Sequence, residues 1–367
     1  MLSLRQGSRL GFHWMIRDIK SRQFQETFAR TSSRGLLCQA CQPCQLYSSD
    51  NSRKLYAEQL KTRGVIQVTG KDASVFLQGL ITNDMNCLDC HGCKSVYSMV
   101  LNAQGRVLYD IIIYNASSAE KVLDNFLIEC DAEVSQELVK HMKKYKLRRK
   151  VTVADLSESH KLWSFYRPAE HASTPEPSLK LEFKDSRSVV TCTSDPRLKS
   201  FGWRCIATYP VEGLDVETPC SDSSYDIERM KLGIGEGVVD LPPGKALPLE
   251  SNLVYLHGVS FNKGCYVGQE LTARTHHTGV TRKRLVPLTL ESEQPGVISP
   301  GSNIEKPNGR SAGVLRNLLS KYGLGVVRLS EMKNDLSVSA ASGVKVKVMP
   351  HQPAWWPKEE DSESSMG

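Results

Sequence analysis

One cysteine stands in a sequence setting that favours chemistry. Cys265 lies between two glycines, two positions after Lys263, and helix-compatible residues follow it. Gly264 would allow the backbone to turn sharply, and the pattern predicts a short helix that begins at Tyr266. Backbone N–H groups at a helix N-terminus and a nearby lysine both favour thiolate over thiol, and thiolate is the form that binds metal or attacks electrophiles. The segment therefore predicts a reactive cysteine.

A buried structural cysteine is the alternative interpretation of Cys265. Cysteine is among the most often buried residue types, and a single cysteine without a histidine partner in the sequence defines no catalytic triad. Composition alone therefore favours a packing role for this thiol.

Other cysteines have the spacing of metal ligands. Two triplets with the pattern Cys-x-x-Cys-x-x-Cys are present, at Cys38, Cys41 and Cys44 and at Cys87, Cys90 and Cys93. The second triplet needs a fourth ligand, but the next cysteine is Cys130, and a site completed by His91 would draw all its ligands from a very short segment, which strains a tetrahedral geometry. A solvent-exposed loop is the alternative, and the sequence leaves both open.

Two further patterns favour structural roles. The glycines between residues 233 and 237 follow a predicted helix rather than a strand, so they predict a helix stop and a turn instead of a dinucleotide-binding loop. His276 and His277 are adjacent, and neighbouring side chains point apart on an extended backbone. We therefore expect these histidines at the surface and not as paired metal ligands.

The elements that must position these residues follow from hydrophobic periodicity. Strands are predicted over residues 64–70, 95–101, 107–114, 126–129, 151–154, 162–165, 188–192 and 203–208, and helices from Asp72 through Leu80 and over residues 132–145 and 223–232. The tetrapeptide at residues 102–105 has turn chemistry and predicts a hairpin. Helix, paired strands and helix in this order predict an α+β fold with a split βαβ arrangement, not a doubly wound parallel sheet.

The last third of the chain has a different pattern. From Arg284 onward, short alternating runs separated by Gly, Pro and Asn predict a small antiparallel β-barrel. We accordingly divide the chain into a leader at residues 1–49, an α+β region at 50–283, a barrel at 284–352 and a disordered tail at 353–367.

Composition and charge restrict the class of protein. The chain has 367 residues and a formal net charge of +7, but five of these surplus charges fall in residues 1–49, so the remainder is close to neutral and does not favour nucleic acid as a partner. The first 49 residues are rich in Arg and Ser, poor in acids and interspersed with large apolar residues, which is typical of a mitochondrial transit peptide. The eleven cysteines are expected as thiols. No apolar run is long enough to span a bilayer, so we expect no membrane association.

A longer motif around Cys265 resembles a known family. The segment Lys263-Gly264-Cys265-Tyr266-Val267-Gly268-Gln269-Glu270, extended through Arg274, resembles the signature of the YgfZ branch of the folate-binding GcvT-like superfamily. Matches at residues 79–84, 101–110 and 195–197 extend the resemblance over roughly residues 55–350. Together with the leader, they identify the chain as a mitochondrial member of that branch.

The resemblance implies a fold and a function. It implies a three-domain cloverleaf around a central cavity with a C-terminal barrel, and an accessory role in late [4Fe–4S] cluster assembly in the mitochondrial matrix. It also implies A-type carrier proteins as partners, a chain that is monomeric when alone, and Cys265 as the ligand of a cluster shared with the partner. The neighbouring Gly264, Gly268, Gln269 and Glu270 are expected to shape and support the site.

The same superfamily includes tetrahydrofolate-dependent aminomethyltransferases, which are the alternative function. Those enzymes carry two adjacent aspartates where this chain has Tyr109 and Asp110, and a pterin-binding glutamate where it has Lys231. A lysine cannot accept the hydrogen bonds that a carboxylate accepts, so a conventional aminomethyltransferase activity is not expected. Asp110 and Asn102 remain candidates for a folate cavity, although Asp110 could equally be a hydrogen-bonded carboxylate of the strand.

Overall fold

The computed structural model describes residues 55–88, 93–117, 124–172, 183, 186–208, 219, 224–292 and 296–357. The predicted leader at residues 1–49 lies outside them. Their strands form two sheets and a closed barrel, and every strand pairing within these ranges is antiparallel. The predicted α+β class is confirmed.

In chain order the strands are β1 (Tyr56–Gln59), β2 (Arg63–Thr69), β3 (Ser95–Leu101), β4 (Val107–Asn115), β5 (Asn125–Asp131), β6 (Thr152–Asp155), β7 (Lys161–Tyr166), β8 (Val189–Ser194), β9 (Gly202–Ala207), β10 (Lys283–Leu290), β11 (Asn303–Glu305), β12 (Ser311–Leu319), β13 (Tyr322–Arg328), β14 (Leu336–Ser339) and β15 (Lys345–Pro350). The helices are α1 (Ala73–Gln78), α2 (Ser135–Lys146), α3 (Tyr225–Lys231), α4 (Gly237–Asp240) and α5 (Gln269–Thr278).

The first sheet has five strands in the order β3-β4-β5-β2-β6. Every residue of β3 is buried, including the polar Ser95 and Ser98. Helix α2 buries Leu138, Val139 and Met142, whose spacing places them on one helix face. The residues predicted to begin this helix, 132–134, form a separate 3₁₀ turn.

Helix α1 begins where the sequence predicts, but its cap differs. The Asp72 side chain makes no capping bond to α1 and instead accepts a hydrogen bond from the Lys150 N–H at 2.7 Å. The residue predicted as an N-cap therefore ties α1 to the segment that follows α2.

The second sheet has four strands in the order β1-β7-β9-β8, so β8 is an edge strand. The barrel has the cyclic order β10-β13-β12-β11-β14-β15. Its β15 alternates exposed and buried residues, as expected when one face of a strand is directed to the barrel interior. The predicted C-terminal antiparallel barrel is confirmed.

The prediction of a disordered tail at residues 353–367 is wrong at its start. Trp356 is buried in the apolar cluster of the barrel, and the Trp355 Nε1–H donates to the Leu232 carbonyl at 2.8 Å. Large apolar area and a satisfied indole N–H hold this segment in place. Residues 358–367 lie outside the described part of the chain.

One apolar core joins the two sheets to the segment around α3 and to the barrel. It includes Tyr97 of β3, Leu162 of β7, Met230 of α3 and Leu285 of β10. The long loop that contains Cys265 contributes Leu253, Leu256 and Tyr266 to the same cluster. Among the residues with assigned structure, no helix is both long enough and apolar enough to cross a membrane.

Candidate functional site around Cys265

The Cys265 side chain is exposed at the surface. It lies in irregular backbone, and the helix predicted to begin at Tyr266 begins at Gln269. The intervening Gly268 has a left-handed φ of +79°, which interrupts helical geometry ahead of α5. The exposed side chain contradicts the alternative of a buried structural cysteine. The thiol nevertheless lies ahead of the helix terminus that was expected to favour its thiolate.

Lys263 anchors the loop instead of approaching the thiol. Its Nζ donates to the carbonyl oxygens of Gln78, Ile81 and Asn83 at 2.7, 2.8 and 2.7 Å. Its three donors are thus satisfied by the backbone at the end of α1 and just after it. Burial lowers the pKa of Lys263 to about 8, against an opposing effect of Asp84. Lys263 thus ties the Cys265 loop to the C-terminal end of α1 and the turn that follows it.

Tyr266 and Val267 hold the other side of Cys265. Tyr266 is buried, and its ring lies 5.1 Å from the Lys263 Nζ, within the range of a cation–π contact. The Tyr266 N–H donates to the Gln269 side chain at 3.2 Å, and the Val267 N–H donates to the Gly79 carbonyl at 3.1 Å. Cys265 is consequently an exposed residue between two anchored neighbours.

Gly268 is required by a close approach to the β3–β4 turn. A methyl group at Gly268 would overlap the Asn102 carbonyl oxygen and lie 2.9 Å from the Leu101 Cβ. Gly105 of the same turn has a φ of +76°, and a methyl group there would lie 2.8 Å from the Leu271 Cβ. The predicted hairpin turn and the cysteine motif, far apart in sequence, therefore form one contact.

Asn102 shapes that turn. Its Oδ1 accepts hydrogen bonds from the N–H groups of Gln104 at 3.1 Å and Arg106 at 2.9 Å. The side chain that was predicted as a folate contact is therefore engaged with its own turn, beside the Cys265 loop.

The remaining motif residues extend onto the surface of α5. Glu270 and Arg274 form an ion pair at 3.0 Å, with 84% and 68% of their side chains exposed. An ion pair this exposed contributes little to stability. His276 and His277 are exposed as predicted, and the His276 ring stacks on Phe261 with a centroid distance of 3.7 Å.

The arrangement presents one accessible thiol on a braced loop. Within the described ranges, no group of three or more His, Cys, Asp or Glu side chains is placed to hold a metal ion. One thiol supplies a single ligand, so a metal centre at Cys265 would need its other ligands from outside the described residues.

The second cysteine triplet is only partly described. Cys87 and Cys93 are exposed, whereas Cys90 and His91 lie outside the described residues. The first triplet, at residues 38–44, lies outside them as well.

A buried cluster of charges is the feature that the sequence interpretation missed. Its charged members, each at most 7% exposed, come from both sheets, from the loop after β8 and from the segment before α4, and are Arg63, Asp110, Glu129, Asp195, Arg197, Arg204 and Glu236. We call this set the central ionic cluster. Glu129 and Arg204 interrupt apolar strands, a signal that could have identified them.

Glu236 accepts hydrogen bonds from three side chains in or beside the central ionic cluster. Its Oε2 accepts from Arg197 at 2.7 Å, from Arg204 at 2.5 Å and from the Tyr225 hydroxyl at 2.7 Å. Burial alone would raise the pKa of Glu236, but Arg204, Arg63 and Arg197 together hold that pKa well below its usual range. Glu236 is thus a carboxylate whose charge the fold requires.

Asp110 belongs to this cluster, and Tyr109 does not. An Asp110 oxygen accepts the Gly237 N–H at 3.0 Å, and the other lies 3.1 Å from an Arg63 Nη. Tyr109 is on the opposite side of β4, where its ring contacts His141 of α2. Tyr109, which stands where the related enzymes have the first of two aspartates, therefore takes no acid away from the protein interior. The second aspartate, Asp110, is the one that faces the interior, and this chain retains it.

Lys231 is engaged near the surface of α3. Its Nζ pairs with Glu228 at 2.8 Å and lies 4.7 Å from the Tyr322 ring. The predicted helix stop after it is present, since the Gly233 N–H donates to the Met230 carbonyl. A carboxylate for a pterin is absent at this position.

Some polar atoms of the central ionic cluster and its surroundings have unused hydrogen-bonding capacity. The Tyr97 hydroxyl and the Arg63 Nη1 make no hydrogen bond within the described residues. The Arg63 Nη2 and one Asp110 oxygen face each other only as an ion pair at 3.1 Å. Buried polar groups of this kind are usually satisfied by water or a ligand.

Comparisons with known proteins agree with the fold. A model of the GCVT N-terminal domain matches residues 59–166, and a model of the CAF17 C-terminal β-barrel domain matches residues 282–358. A crystal structure of glycine cleavage system aminomethyltransferase T from Bartonella henselae aligns with a TM-score of 0.61 at 19% identity, covering 83% of this chain and 87% of that one. The GcvT-like fold is confirmed.

Closer sequence relatives carry a different name. The mouse protein named "Iron-sulfur cluster assembly factor IBA57, mitochondrial" is 40% identical over 307 residues, covering 81% of this chain and 84% of its own length. The human protein of the same name is 38% identical over 307 residues, and the alignment again covers 81% of this chain and 84% of the human protein. A homologue with this name from Mycosarcoma maydis is 32% identical over 351 residues, again covering 81% and 84%.

Proposed function

Because the chain belongs to the IBA57 family of mitochondrial iron–sulfur cluster assembly factors, we propose that it acts in cluster assembly through Cys265. The observation that carries the proposal is the exposed thiol on a loop braced by Lys263 and Tyr266. The cluster is the cargo of this function and not a resident cofactor.

In this proposal the chain serves late [4Fe–4S] assembly in the mitochondrial matrix and works with an A-type carrier protein. The chain alone is monomeric and offers one cysteine sulfur, while the carrier supplies the other cluster ligands. Lys263 and Gly268 act by positioning, because they fix the backbone on either side of Cys265. The carrier must approach the exposed face where Cys265 and α5 lie.

The test is anaerobic reconstitution of a cluster with the full chain and a purified A-type carrier. We expect Cys265→Ser to abolish cluster-dependent complex formation, measured by gel filtration and by the visible absorption of the cluster. Cys93→Ser is the matched control, since Cys93 is also an exposed thiol but lies in another segment. Undiminished complex and cluster with Cys265→Ser would refute the proposal.

Tetrahydrofolate-dependent aminomethyl transfer is the competing function. The observation in its favour is the pair of unsatisfied polar atoms on Tyr97 and Arg63. The residues do not fit a pterin held as in the related enzymes, because Lys231 replaces the acid and Asp110 is already bonded to Gly237 and paired with Arg63. We therefore derive no catalytic step through a folate.

A direct measurement separates the two functions. Calorimetry measures the affinity of the chain for tetrahydrofolate. A separate assay with a methylene donor measures one-carbon turnover. Turnover that is abolished by Asp110→Asn and insensitive to Cys265→Ser would establish the enzyme. We expect no turnover in the wild-type chain.

A further inference from the structure

A pair of cysteines on the second sheet lies outside the surface around Cys265. Cys192 is in β8 and Cys205 is in β9, and the register of these strands sets the two residues directly opposite each other. The flanking pairs, Thr191 with Ile206 and Thr193 with Arg204, continue the register on both sides. The pairing is therefore regular at the two cysteines.

This position has the geometry that a disulfide requires. Directly opposed residues of an antiparallel pair have Cα atoms about 4.5–5.5 Å apart, and disulfides join Cα atoms about 4.4–6.8 Å apart. The two thiols are already in contact, since the Cys205 side chain is hydrogen-bonded to that of Cys192. The register therefore places the two cysteines where a disulfide can join them.

The surroundings make the two thiols unequal. Cys205 is fully buried in an apolar cluster that includes Phe165, and the hydrogen bond with Cys192 and burial raise the pKa of its thiol. Cys192 is half-buried on the edge strand β8, with one side of the strand unpaired within the described residues. A small oxidant therefore reaches Cys192 first.

We propose that Cys192 and Cys205 form a reversible disulfide, a modification site for peroxide that is separate from the Cys265 surface. Attack of the Cys192 sulfur on hydrogen peroxide breaks the O–O bond and gives a sulfenic acid and one water. The Cys205 sulfur then displaces the sulfenic oxygen, its proton leaves with that oxygen, and a second water is released. Two thiols and one peroxide thus become one disulfide and two waters.

Reduction follows by exchange with a small thiol such as glutathione. One glutathione thiolate attacks the Cys192 sulfur, which forms a mixed disulfide with Cys192 and releases Cys205 as a thiolate that takes up a proton. A second glutathione thiolate attacks the bound glutathione sulfur, which frees the Cys192 thiol and forms glutathione disulfide. The site is thereby reset without loss of either cysteine.

The cross-link would act on the central ionic cluster through the chain. Arg204 immediately precedes Cys205, and Asp195 follows the end of β8, so the disulfide would tie together the two strands from which these residues extend. Their side chains already form an ion pair at 3.2 Å. A covalent tie across β8 and β9 should therefore stabilise the oxidised chain against unfolding.

The experiment treats the reduced full-length protein with hydrogen peroxide, blocks the remaining thiols, and maps tryptic peptides without reduction. We expect the peptide of residues 188–197 to be linked to the peptide that begins at Cys205, with fragmentation placing the bond at Cys205. The link should disappear with dithiothreitol. The melting temperature of the oxidised chain should exceed that of the reduced chain by several degrees.

Variants distinguish this site from other thiols. Cys192→Ser and Cys192→Ala should each lose the linked peptide and the rise in melting temperature. Cys130→Ser should retain both, because Cys130 is equally buried but lies opposite Gly64 and has no thiol partner across the strand. Cys265→Ser should also retain both, so the result is independent of the proposed role of Cys265.

Two outcomes would overturn the proposal. One is peroxide treatment that modifies Cys192 without linking it to Cys205, seen as a stable oxidised or alkylated Cys192. The other is a link from Cys192 to a different cysteine. Both are read on the wild-type chain, so they do not depend on the folding of any variant.

Discussion

Gly268 and Gly264 flank the same cysteine and have opposite requirements for space. Gly268 has a left-handed φ and touches the carbonyl of Asn102, whereas a methyl group on Gly264 would meet no atom within 4 Å. The backbone of the motif therefore requires a glycine at position 268, whereas position 264 has room for a larger residue. Sequence inspection assigned the sharp turn to Gly264, because nothing in the local sequence reveals the contact with Asn102.

Gly268→Ala should destabilise the protein and the Cys265 loop. Left-handed backbone costs an alanine about 1–2 kcal/mol, and overlap with the Asn102 carbonyl adds to that cost. We expect the free energy of unfolding, measured by urea denaturation, to fall by about 2–4 kcal/mol. Gly264→Ala is the matched control and should change it by less than about 0.5 kcal/mol. Equal effects of the two substitutions would contradict the assignment.

Lys263 predicts a stability that depends on pH. Burial lowers its pKa to about 8, whereas a lysine in an unfolded chain titrates near 10.4. Between these values the unfolded chain holds a proton that the folded chain has released, so the contribution of Lys263 to stability rises with pH across this window. Below about pH 8 both states are protonated, and this pH-dependent gain is absent.

Thermal unfolding of the wild type and Lys263→Met from about pH 7 to about pH 10 measures this effect. The melting temperature of the wild type minus that of the variant should increase with pH. Lys333 is exposed, so Lys333→Met is the control for removal of a surface lysine. If the melting temperature of the wild type minus that of Lys263→Met stayed constant or decreased with pH, burial would not be the main influence on the pKa of Lys263.

The β3–β4 turn packs against the Cys265 loop and supports it. Asn102 fixes the turn with two hydrogen bonds to its own backbone, and its carbonyl lies against Gly268. Asn102→Ala should cost about 1–2 kcal/mol of stability, since two side-chain acceptor bonds are lost. The alkylation rate of Cys265 should change in the same variant, because its loop loses a fixed neighbour.

Gln104→Ala is the control at this turn. Gln104 is exposed, and it is its backbone N–H, retained in the variant, that bonds to Asn102. Stability and Cys265 alkylation should remain at the wild-type values. If Asn102→Ala were equally silent, the turn would not be the support that we assign to it.

Most of the regular elements could be predicted from the sequence. The hairpin of β3 and β4, helix α2 and the barrel strands carry periodicity and turn residues that depend on local chemistry. The beginning of α5 could not be predicted, since Gly268 adopts its conformation against a turn more than 150 residues earlier. For the same reason the contacts of Lys263 could not be predicted from the sequence, because its three acceptors are backbone carbonyls at the last residue of α1 and just beyond it.

At the scale of the whole molecule, the central ionic cluster connects segments that are distant in the chain. Arg63 of β2 and Glu129 of β5 pair at 3.0 Å within the first sheet, and Arg204 of the second sheet reaches the same Glu129 at 3.2 Å. Glu236, ahead of α4, then joins the arginines of both sheets. Sequence could flag these charges as unusual in apolar strands but could not pair them, since the pairing exists only in the folded chain.

Among the substitutions named here, Glu236→Gln should lower the free energy of unfolding the most. It leaves Arg197 and Arg204 buried with one fewer negative charge, and loss of one partner from a buried ion pair costs about 3–5 kcal/mol. Glu170→Gln is the matched control, because 73% of the Glu170 side chain is exposed. It should change the free energy of unfolding by less than about 0.5 kcal/mol.

The same glutamate gives the protein a defined sensitivity to acid. The pKa of Glu236 is held well below its usual range in the folded chain, while glutamate in an unfolded chain titrates near 4.3. Its stabilisation is therefore fully present above about pH 4.3 and is lost as the pH falls toward the folded-state pKa. Urea unfolding at several values between pH 7 and pH 3 should show a steeper acid decline for the wild type than for Glu236→Gln. Parallel declines would mean that the arginines do not hold Glu236 in its charged form, and the central ionic cluster would then have a different protonation from the one that we assign.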